Sequence, residues 1–326
     1  MLNILVTVPV DETQKQTLEA AAHGASFVYC DAKAVTDDML ADVDIIFGNV
    51  RFRQLQYAKR LKLLQLFTAG TDGYIPVLPQ GCALANTTGA FGLAISEHML
   101  AMLLALQKRL HQYRDNQTRH EWRDRGDVTS IAGATVVTLG LGDIGGEFAR
   151  KCKLLGAYTI GVRRTDGNKP DDIDELVLTQ DLDTVLPRAD VLAMALPGMP
   201  ETVHILDRRR MGLLKDGCIV LNVGRGSAID QDALADAMEQ RGLMAGLDVA
   251  DPEPLPPEHR LWGLENCLIT PHVSGFFHLA ATKNRMVAIA AENISRHVHG
   301  IPYINLVDKT TGYRADKYDG GKETIQ

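Results

Sequence analysis

The chain has 326 residues, 45% of them hydrophobic and 23% charged, which suits a globular protein too long for one small core and sized for two domains. The formal net charge of −7 is spread out, with no Lys/Arg block, and this argues against a nucleic-acid partner. The five cysteines (Cys30, Cys82, Cys152, Cys218, Cys267) form no CxxC or Cys/His cluster, and no apolar run approaches the ~20 residues of a bilayer span, so a structural metal and a membrane partner are not expected either.

MLNILVTVPVDE lacks the basic start of a signal peptide and reads as a first strand; with the scattered cysteines read as reduced core residues, the expected location is cytoplasmic. Up to about residue 90, strand-like runs (LNILVTV, SFVYC, DIIFGN, LKLLQLFT, CALAN) alternate with helical patterns such as Thr13 to Ala22 and Gln54 to Lys59. That alternation predicts a parallel sheet covered by helices. LKLLQLFT runs into Ala69-Gly70-Thr71-Asp72-Gly73, a loop at the carboxyl end of a strand, where its N–H groups could meet a small carboxylate or where it could simply turn. GLAISEHMLAMLLALQKRLHQYRDN predicts one long helix from Gly92 to about Asn116, too polar at its ends for a membrane and too apolar for open water, hence a connector near a subunit interface.

Thr135 to Ala157, TVVTLGLGDIGGEFARKCKLLGA, organises the second half. A β-branched run leads into Gly140-Leu-Gly142-Asp143-Ile144-Gly145 and then a helix with Phe148, Cys152 and Leu155 on one stripe. In a strand, glycine turn and helix of this kind, the first glycine permits the turn, the second admits a pyrophosphate to the backbone, and the third lets helix and strand pack. The helix N-terminus adds N–H groups and partial positive charge for phosphate oxygens. YTIGV is the next strand. It ends in Arg163-Arg164-Thr165, with Asp166 arriving late, and two guanidiniums there suit a 2′-phosphate, so NADP is favoured over NAD; the alternative is that Asp166 holds the ribose. VLAMAL, CIVLNV, AGLDV and CLITP complete the strands, with helices such as Asp230 to Gln240 between them, and a helix from about Leu279 to His299 carries the chain back. The last ten or so residues are expected to lack order.

Three polar residues lie just beyond apolar strands: Arg225 in NVGRGS, Glu253 in DVADPEPL and His272 in TPHVSG. Each has a plain structural explanation when taken singly. Together they supply what reversible carbonyl reduction needs: a histidine to give or take the hydroxyl proton, a carboxylate to fix its ring and favour the imidazolium, and an arginine to orient and polarise the substrate. Hydride would come from a nicotinamide.

GLGDIG, NVGRGS, DVADPEPL and PHVSG, in this order and spacing, resemble the D-isomer-specific 2-hydroxyacid dehydrogenase family over essentially the whole chain. The resemblance implies an α/β protein of two Rossmann-like/flavodoxin-like doubly wound parallel-sheet domains with an interdomain cleft: a discontinuous substrate domain (1–95 plus 278–326), a dinucleotide-binding domain (96–277), and a homodimer as the usual state. By position it implies Arg225, Glu253 and His272 as catalytic residues. It also implies Ala69 and Gly70 as the carboxylate-binding loop, with Arg225 and His272 also touching substrate. Asp248 would hold the nicotinamide amide, with Val223 and Thr202 as further cofactor contacts beside Gly140, Gly142, Asp143, Ile144, Gly145, Arg163 and Arg164. The arginine pair resembles the NADP-using glyoxylate and hydroxypyruvate reductases. The expected substrate is a small 2-ketoacid or D-2-hydroxyacid; phosphoglycerate dehydrogenase and a nucleotide-sensing scaffold like the C-terminal-binding corepressors are the alternatives. Phe276 and Phe277 either line the pocket mouth or belong to the core of the last helix, and Tyr74 and Arg51 are weaker substrate candidates.

Overall fold

The computed structural model describes residues 1–71, 73–310, 312, 314 and 315; Asp72 of the expected carboxylate loop and the terminal residues expected to lack order lie outside them. By their internal contacts the residues form two compact units, Met1–Phe91 with the chain from Phe277 onward, and Gly92–Phe276.

In the first unit the apolar runs become β1 (Asn3–Val6), β2 (Ser26–Tyr29), β3 (Ile45–Phe47), β4 (Leu63–Gln65) and β5 (Ala83–Ala85), with helices α1 (Glu12–Ala20) and α2 (Asp37–Leu40). They form one parallel sheet in the order β2-β1-β3-β4-β5, with Ile4 opposite Ile45 and Leu63 opposite Ala83. Burial on both faces explains why β3 reads as an unbroken apolar run, IIF, and β4 is buried throughout although it ends in Gln65. The helix begins at Glu12 because Asp11 caps it, taking the N–H of Gln14 at 2.9 Å while the Gln14 amide oxygen takes that of Asp11. The pattern expected as a helix from Gln54 to Lys59 is a 3-10 segment, Phe52–Tyr57.

The second unit holds α3 (Gly92–Gln107), α4 (Leu110–Thr118), β6 (Thr135–Leu139), α5 (Asp143–Leu154), β7 (Tyr158–Arg163), β8 (Glu175–Leu178), β9 (Val191–Met194), α6 (Arg208–Met211), β10 (Ile219–Asn222), α7 (Gln231–Arg241), β11 (Met244–Leu247) and β12 (Cys267–Ile269). Its parallel sheet runs β12-β11-β10-β9-β6-β7-β8. The register is continuous from β10 to β12: Ile219 lies opposite Met244, and Ala245 opposite Cys267. The chain then returns to the first unit as α8 (Ala280–His299), which packs on α1 and donates from Asn293 to Gln65 at 2.6 Å.

Three expectations need correction. The long helix from Gly92 is two: it stops at Gln107, and Arg109 takes a left-handed φ of 55° before α4 starts. The apolar side of α3 is spent on its own unit, against α5, β10 and β11. Leu155 is not on the buried stripe of α5; Phe148 and Cys152 are fully buried, but the helix ends at Leu154 and Leu155 is exposed. A seventh strand, β8, extends the sheet beyond β7.

The five cysteines are free, and burial pushes the Cys152 thiol up to about 12. Among the described residues no helix is long and apolar enough to cross a membrane, and no group of His, Cys, Asp and Glu could hold a metal ion.

Candidate active site

Every strand of the second sheet points the same way, so the loops that follow them share one edge, the side on which ligands bind in open α/β sheets. Arg225 follows β10, Glu253 follows β11 and His272 follows β12, three strands that are direct neighbours. The glycine turn follows β6, where the strand order reverses: β7 follows it on one side, whereas β9 and the later strands lie on the other. That is the topological switch point at which a crevice opens.

His272 and Glu253 meet. The ring Nδ1 lies 2.9 Å from Glu253 Oε2, and both side chains are exposed, at 47% and 41%. The other carboxylate oxygen accepts the N–H of Ala250 at 3.1 Å, so the glutamate is oriented by its own loop before it orients the histidine. An ionised carboxylate only accepts, so Nδ1 carries the hydrogen and Nε2 is left to exchange a proton.

Arg225 is half-buried, and its Nη1 donates to the Gly224 carbonyl at 2.8 Å. Asn222, buried at the end of β10, ties this loop at both ends by donating to the Arg225 carbonyl at 2.9 Å and accepting the Gly224 N–H at 3.0 Å. The glycines flanking Arg225 serve close approach. A β carbon at Gly226 would fall 1.9 Å from the Ala250 carbonyl carbon, so the Arg225 loop rests directly on the segment that leads to Glu253.

At the glycine turn, Gly140 has φ +90°, and a β carbon at Gly145 would lie 1.9 Å from the Gly140 carbonyl oxygen. A β carbon at Gly142, by contrast, would meet nothing within 4 Å: the backbone there faces open space. No side chain caps α5, so its first N–H groups (Asp143, Ile144 and Gly145 among them) stand at that opening with the positive end of the helix dipole. A dinucleotide pyrophosphate fits this cradle. The Asp143 carboxylate is turned aside and accepts the Gly92 N–H at 2.8 Å.

Arg163 is the last residue of β7, and Arg164 beside it is exposed. The Nε and Nη2 of Arg163 are buried without a hydrogen-bond partner, and Nη2 lies where a β carbon at Gly167 would come within 2.9 Å. Asp166 turns onto its own neighbour, accepting the Gly167 N–H at 2.7 Å.

The remaining expected cofactor contacts are engaged locally. The Thr202 hydroxyl lies 2.8 and 2.9 Å from the carbonyls of Pro197 and Met199 and donates its one hydrogen within its own loop. The Val223 N–H bonds the Met194 carbonyl at 3.1 Å, extending the β9/β10 ladder by one residue. Asp248, fully buried after β11, accepts hydrogen bonds from Thr270, Val273 and Ser274. Thr270, whose hydroxyl lies 3.0 Å from His98 Nε2, Ser274 and Asn222 are site residues that the sequence did not single out. The available signal was a polar side chain ending an otherwise apolar strand, as in IVLN and CLIT.

In the first unit, Ala69 and Gly70 lie in the loop after β4. It is braced by the Asn86 amide, which donates to the Ala69 carbonyl at 2.8 Å, and by the Thr68 hydroxyl, which donates to the Gly70 carbonyl at 2.8 Å. Both carbonyls are thereby held by the loop's own unit. Phe67 packs on Phe277 with ring centroids 5.1 Å apart, Phe276 is exposed, and Tyr74 is buried with its hydroxyl on the Val50 carbonyl at 2.8 Å. That placement makes Tyr74 a core residue and removes it from the substrate candidates, whereas Arg51 stays exposed.

The family model described as D-isomer specific 2-hydroxyacid dehydrogenase, NAD binding domain, matches residues 100–274. A D-isomer specific 2-hydroxyacid dehydrogenase family protein from Aeromonas salmonicida superimposes with a TM-score of 0.83 at 28% identity, covering 94% of this chain and 99% of that one. The NADPH-dependent glyoxylate/hydroxypyruvate reductase of Sinorhizobium meliloti, solved with NADP and sulfate, gives 0.81 at 25% identity, covering 96% and 100%. D-3-phosphoglycerate dehydrogenase of Archaeoglobus fulgidus is 30% identical over 262 residues, 78% of this chain but 48% of that protein's length.

Proposed function

The chain belongs to the D-isomer-specific 2-hydroxyacid dehydrogenase family and is an NAD(P)-dependent enzyme of that class; from this premise we propose that it reduces small 2-ketoacids, with NADPH preferred. The observation that carries the reading is the His272–Glu253 pair, 2.9 Å apart at the carboxyl edge of two neighbouring strands. When bound, the reduced nicotinamide supplies hydride to the carbonyl carbon. The protein's own work is the proton and the geometry. His272, as imidazolium, gives the Nε2 proton to the carbonyl oxygen as that oxygen gains negative charge, so the C=O becomes a hydroxyl and the ring becomes neutral. Glu253 holds Nδ1–H throughout and stabilises the charged ring before transfer. Arg225 presents a fork of N–H donors to the substrate carboxylate or to the carbonyl oxygen. Ala69 and Gly70, which match the family's carboxylate-binding loop, would present backbone N–H groups to the substrate carboxylate, and the bracing of their carbonyls by Asn86 and Thr68 is compatible with that role.

NADP preference rests on Arg163. A buried guanidinium with two unsatisfied nitrogens is costly unless an anion completes it, and a 2′-phosphate supplies the oxygens. A homodimer is supported by residues 121–130. This stretch has no regular structure yet is pinned at its base, where Tyr113 donates to Asp124 at 3.0 Å and Arg125 to Asn116 at 2.6 Å, and it carries a fully exposed Trp122 that a second copy would cover. The five free cysteines suit the reducing cytoplasm.

The test is oxidation of NADPH, then NADH, followed at 340 nm with glyoxylate, hydroxypyruvate, pyruvate, 2-ketoisocaproate and 3-phosphohydroxypyruvate. Turnover of the first two with NADPH ahead of NADH is expected. Fastest turnover of the phosphorylated acid would replace this reading with phosphoglycerate dehydrogenase, and nucleotide binding without any turnover would refute the 2-ketoacid reductase.

A further inference from the structure

Glu253 has to meet His272, yet the chain that carries it is poorly equipped to hold itself in place. Val249 and Leu255 are buried, whereas Asp251, Pro252, Glu253 and Pro254 between them are exposed. Two of those four are prolines without an N–H, so the loop has few donors of its own and must be held mainly through its carbonyls, by donors from elsewhere. Among the described residues its one internal tie is the Ala250 N–H on Glu253 Oε1, at 3.1 Å. That bond orients the carboxylate only as well as Ala250 itself is fixed.

A single neighbouring segment fixes it at two points. Gly226 lies under Ala250, where a β carbon would fall 1.9 Å from the carbonyl carbon and 2.0 Å from its oxygen. Further along, at the first residue of α7, the Gln231 side chain donates from Nε2 to the Asp251 carbonyl. Among the described residues this is the one hydrogen bond that ties 250–254 to another element, apart from the Glu253 contact with His272. Between the two points the segment is firm. Ala228 and Ile229 are buried, the Ile229 N–H bonds the Gly226 carbonyl at 3.1 Å, and Asp230 caps α7 by accepting the Ala233 N–H at 2.9 Å. Arg225 stands at the start of this same segment.

The other end of the Gln231 amide bears on its purpose. Oε1 is buried without a partner, a cost to the fold that no local contact offsets. Methionine has a similar length and helix propensity with neither the donor nor the orphan oxygen, so stability alone would favour it there. Local rules broken without local gain are expected at functional sites.

We propose that Gln231 is a positioning residue of the acid/base pair: its amide holds the Asp251 carbonyl and, with Gly226, seats the Glu253 loop on the segment that begins at Arg225. The carboxylate and the guanidinium are then set relative to each other by one piece of backbone. The inference rests on the reading of Glu253 and His272 as the acid/base pair. Gln231 touches no reacting atom and acts through Glu253.

The experiment uses the full chain with Gln231→Met, Gln231→Glu, Glu253→Gln and the double variant of Gln231→Met with Glu253→Gln. Steady-state kcat and KM are measured with the fastest ketoacid of the panel at saturating NADPH, between about pH 5 and pH 8, and Tm is followed by circular dichroism. Gln231→Met should lower kcat by roughly 5- to 50-fold, as a misplacement of less than about 1 Å does, with KM within about threefold of the parent and Tm unchanged or raised. In the Glu253→Gln background the same substitution should lower kcat by less than about twofold, because the carboxylate that it positions is gone. An ionised glutamate only accepts, whereas a protonated one donates from its hydroxyl. The kcat of Gln231→Glu relative to the parent should therefore rise about threefold between about pH 7 and pH 5, while that of Gln231→Met stays level. Parental kcat in Gln231→Met overturns the proposal. So does a loss repeated in full in the Glu253→Gln background, or one matched by a fall in Tm with no recovery of Gln231→Glu at low pH, the signature of a merely structural side chain. If Gln231→Met does not fold, the pH dependence of Gln231→Glu decides. Parental kcat in Glu253→Gln would instead remove the reading beneath the proposal, an outcome distinct from the others.

Discussion

Gly142 and Gly145 stand three residues apart in one turn, yet the structure gives them different work, and substitution by alanine separates the two. At Gly145 the added methyl would lie 1.9 Å from the Gly140 carbonyl oxygen and 3.1 Å from Thr138 Cγ2. Resting contact is nearer ~3.5 Å, so the start of α5 must back away from β6 by more than an ångström. Overpacking of this kind costs about 1–3 kcal/mol, and the ~1 kcal/mol that alanine gains over glycine in a helix offsets only part of it. Gly145→Ala should therefore lose about 1–2 kcal/mol in urea unfolding followed by circular dichroism. Gly142 is extended (φ −79°, ψ −162°) and its methyl would meet no protein atom within 4 Å, so Gly142→Ala should stay within about 0.5 kcal/mol of the parent. The methyl would instead occupy the opening where the pyrophosphate approaches. Weakening two charge-assisted hydrogen bonds, each worth about 1.5–3 kcal/mol, predicts an NADPH Kd raised about 100-fold or more. A stable Gly142→Ala protein that binds NADPH within about threefold of the parent would show that the pyrophosphate does not lie against this backbone.

Other outcomes follow from single contacts. Arg163→Ala should lower kcat/KM for NADPH by roughly 10-fold or more and leave NADH nearly unchanged, since it removes the buried donors that only a 2′-phosphate completes; equal losses with both nucleotides would contradict that assignment. Glu253→Gln should lower kcat by about 10²–10⁴-fold with the NADPH Kd kept, because the ring loses the carboxylate that fixes Nδ1–H; a parental kcat would show that the 2.9 Å contact is incidental. Hydrogen bonding to Arg150, aided by Lys151, holds the Glu147 carboxyl down at about 2 in the folded protein. A depressed carboxyl contributes stability that is complete above its unfolded value, near 4.5, and is lost as pH falls toward about 2. With Arg150 exposed to screening solvent, about 1–2 kcal/mol is expected, so Glu147→Gln should cost that much at pH 7 and progressively less as pH falls through about 2; an equal deficit at both ends would rule out the ionic origin.

The sequence made the parallel sheets legible because strands covered on both faces must be apolar throughout, and the runs around Ile45, Val191 and Ile219 could hardly lie elsewhere. The glycine turn was equally plain, since its spacing reflects one steric demand, that of Gly145 on Gly140. β8 escaped because it is a four-residue edge strand, ELVL, only half-buried and carrying a charge. The break at Arg109 escaped because no glycine or proline marks it. Among site residues, His272 and Glu253 could be proposed as a pair from the chemistry that they share. Thr270 and Ser274 could not, for a hydroxyl reveals its acceptor only when folding sets it against a particular carboxylate.

Along the chain, 28 residues separate Arg225 from Glu253 and 19 separate Glu253 from His272. The sheet removes those separations. β10, β11 and β12 are consecutive neighbours and parallel, so their carboxyl ends stand about 4.8 Å apart in one row, and a residue a few positions beyond each is brought to the same edge regardless of intervening length. Two local devices then convert proximity into contact: the missing side chain at Gly226, which lets the Arg225 loop settle on Ala250, and the grip of Asp248 on the turn at His272. Since both act between loops of adjacent strands, a one-residue slip of β11 against β10 would separate Gly226 from Ala250, and one against β12 would separate Glu253 from His272. The apolar side chains of β10 and β11, buried on both faces, hold that register, so the precision of the site is supplied by the core beneath it.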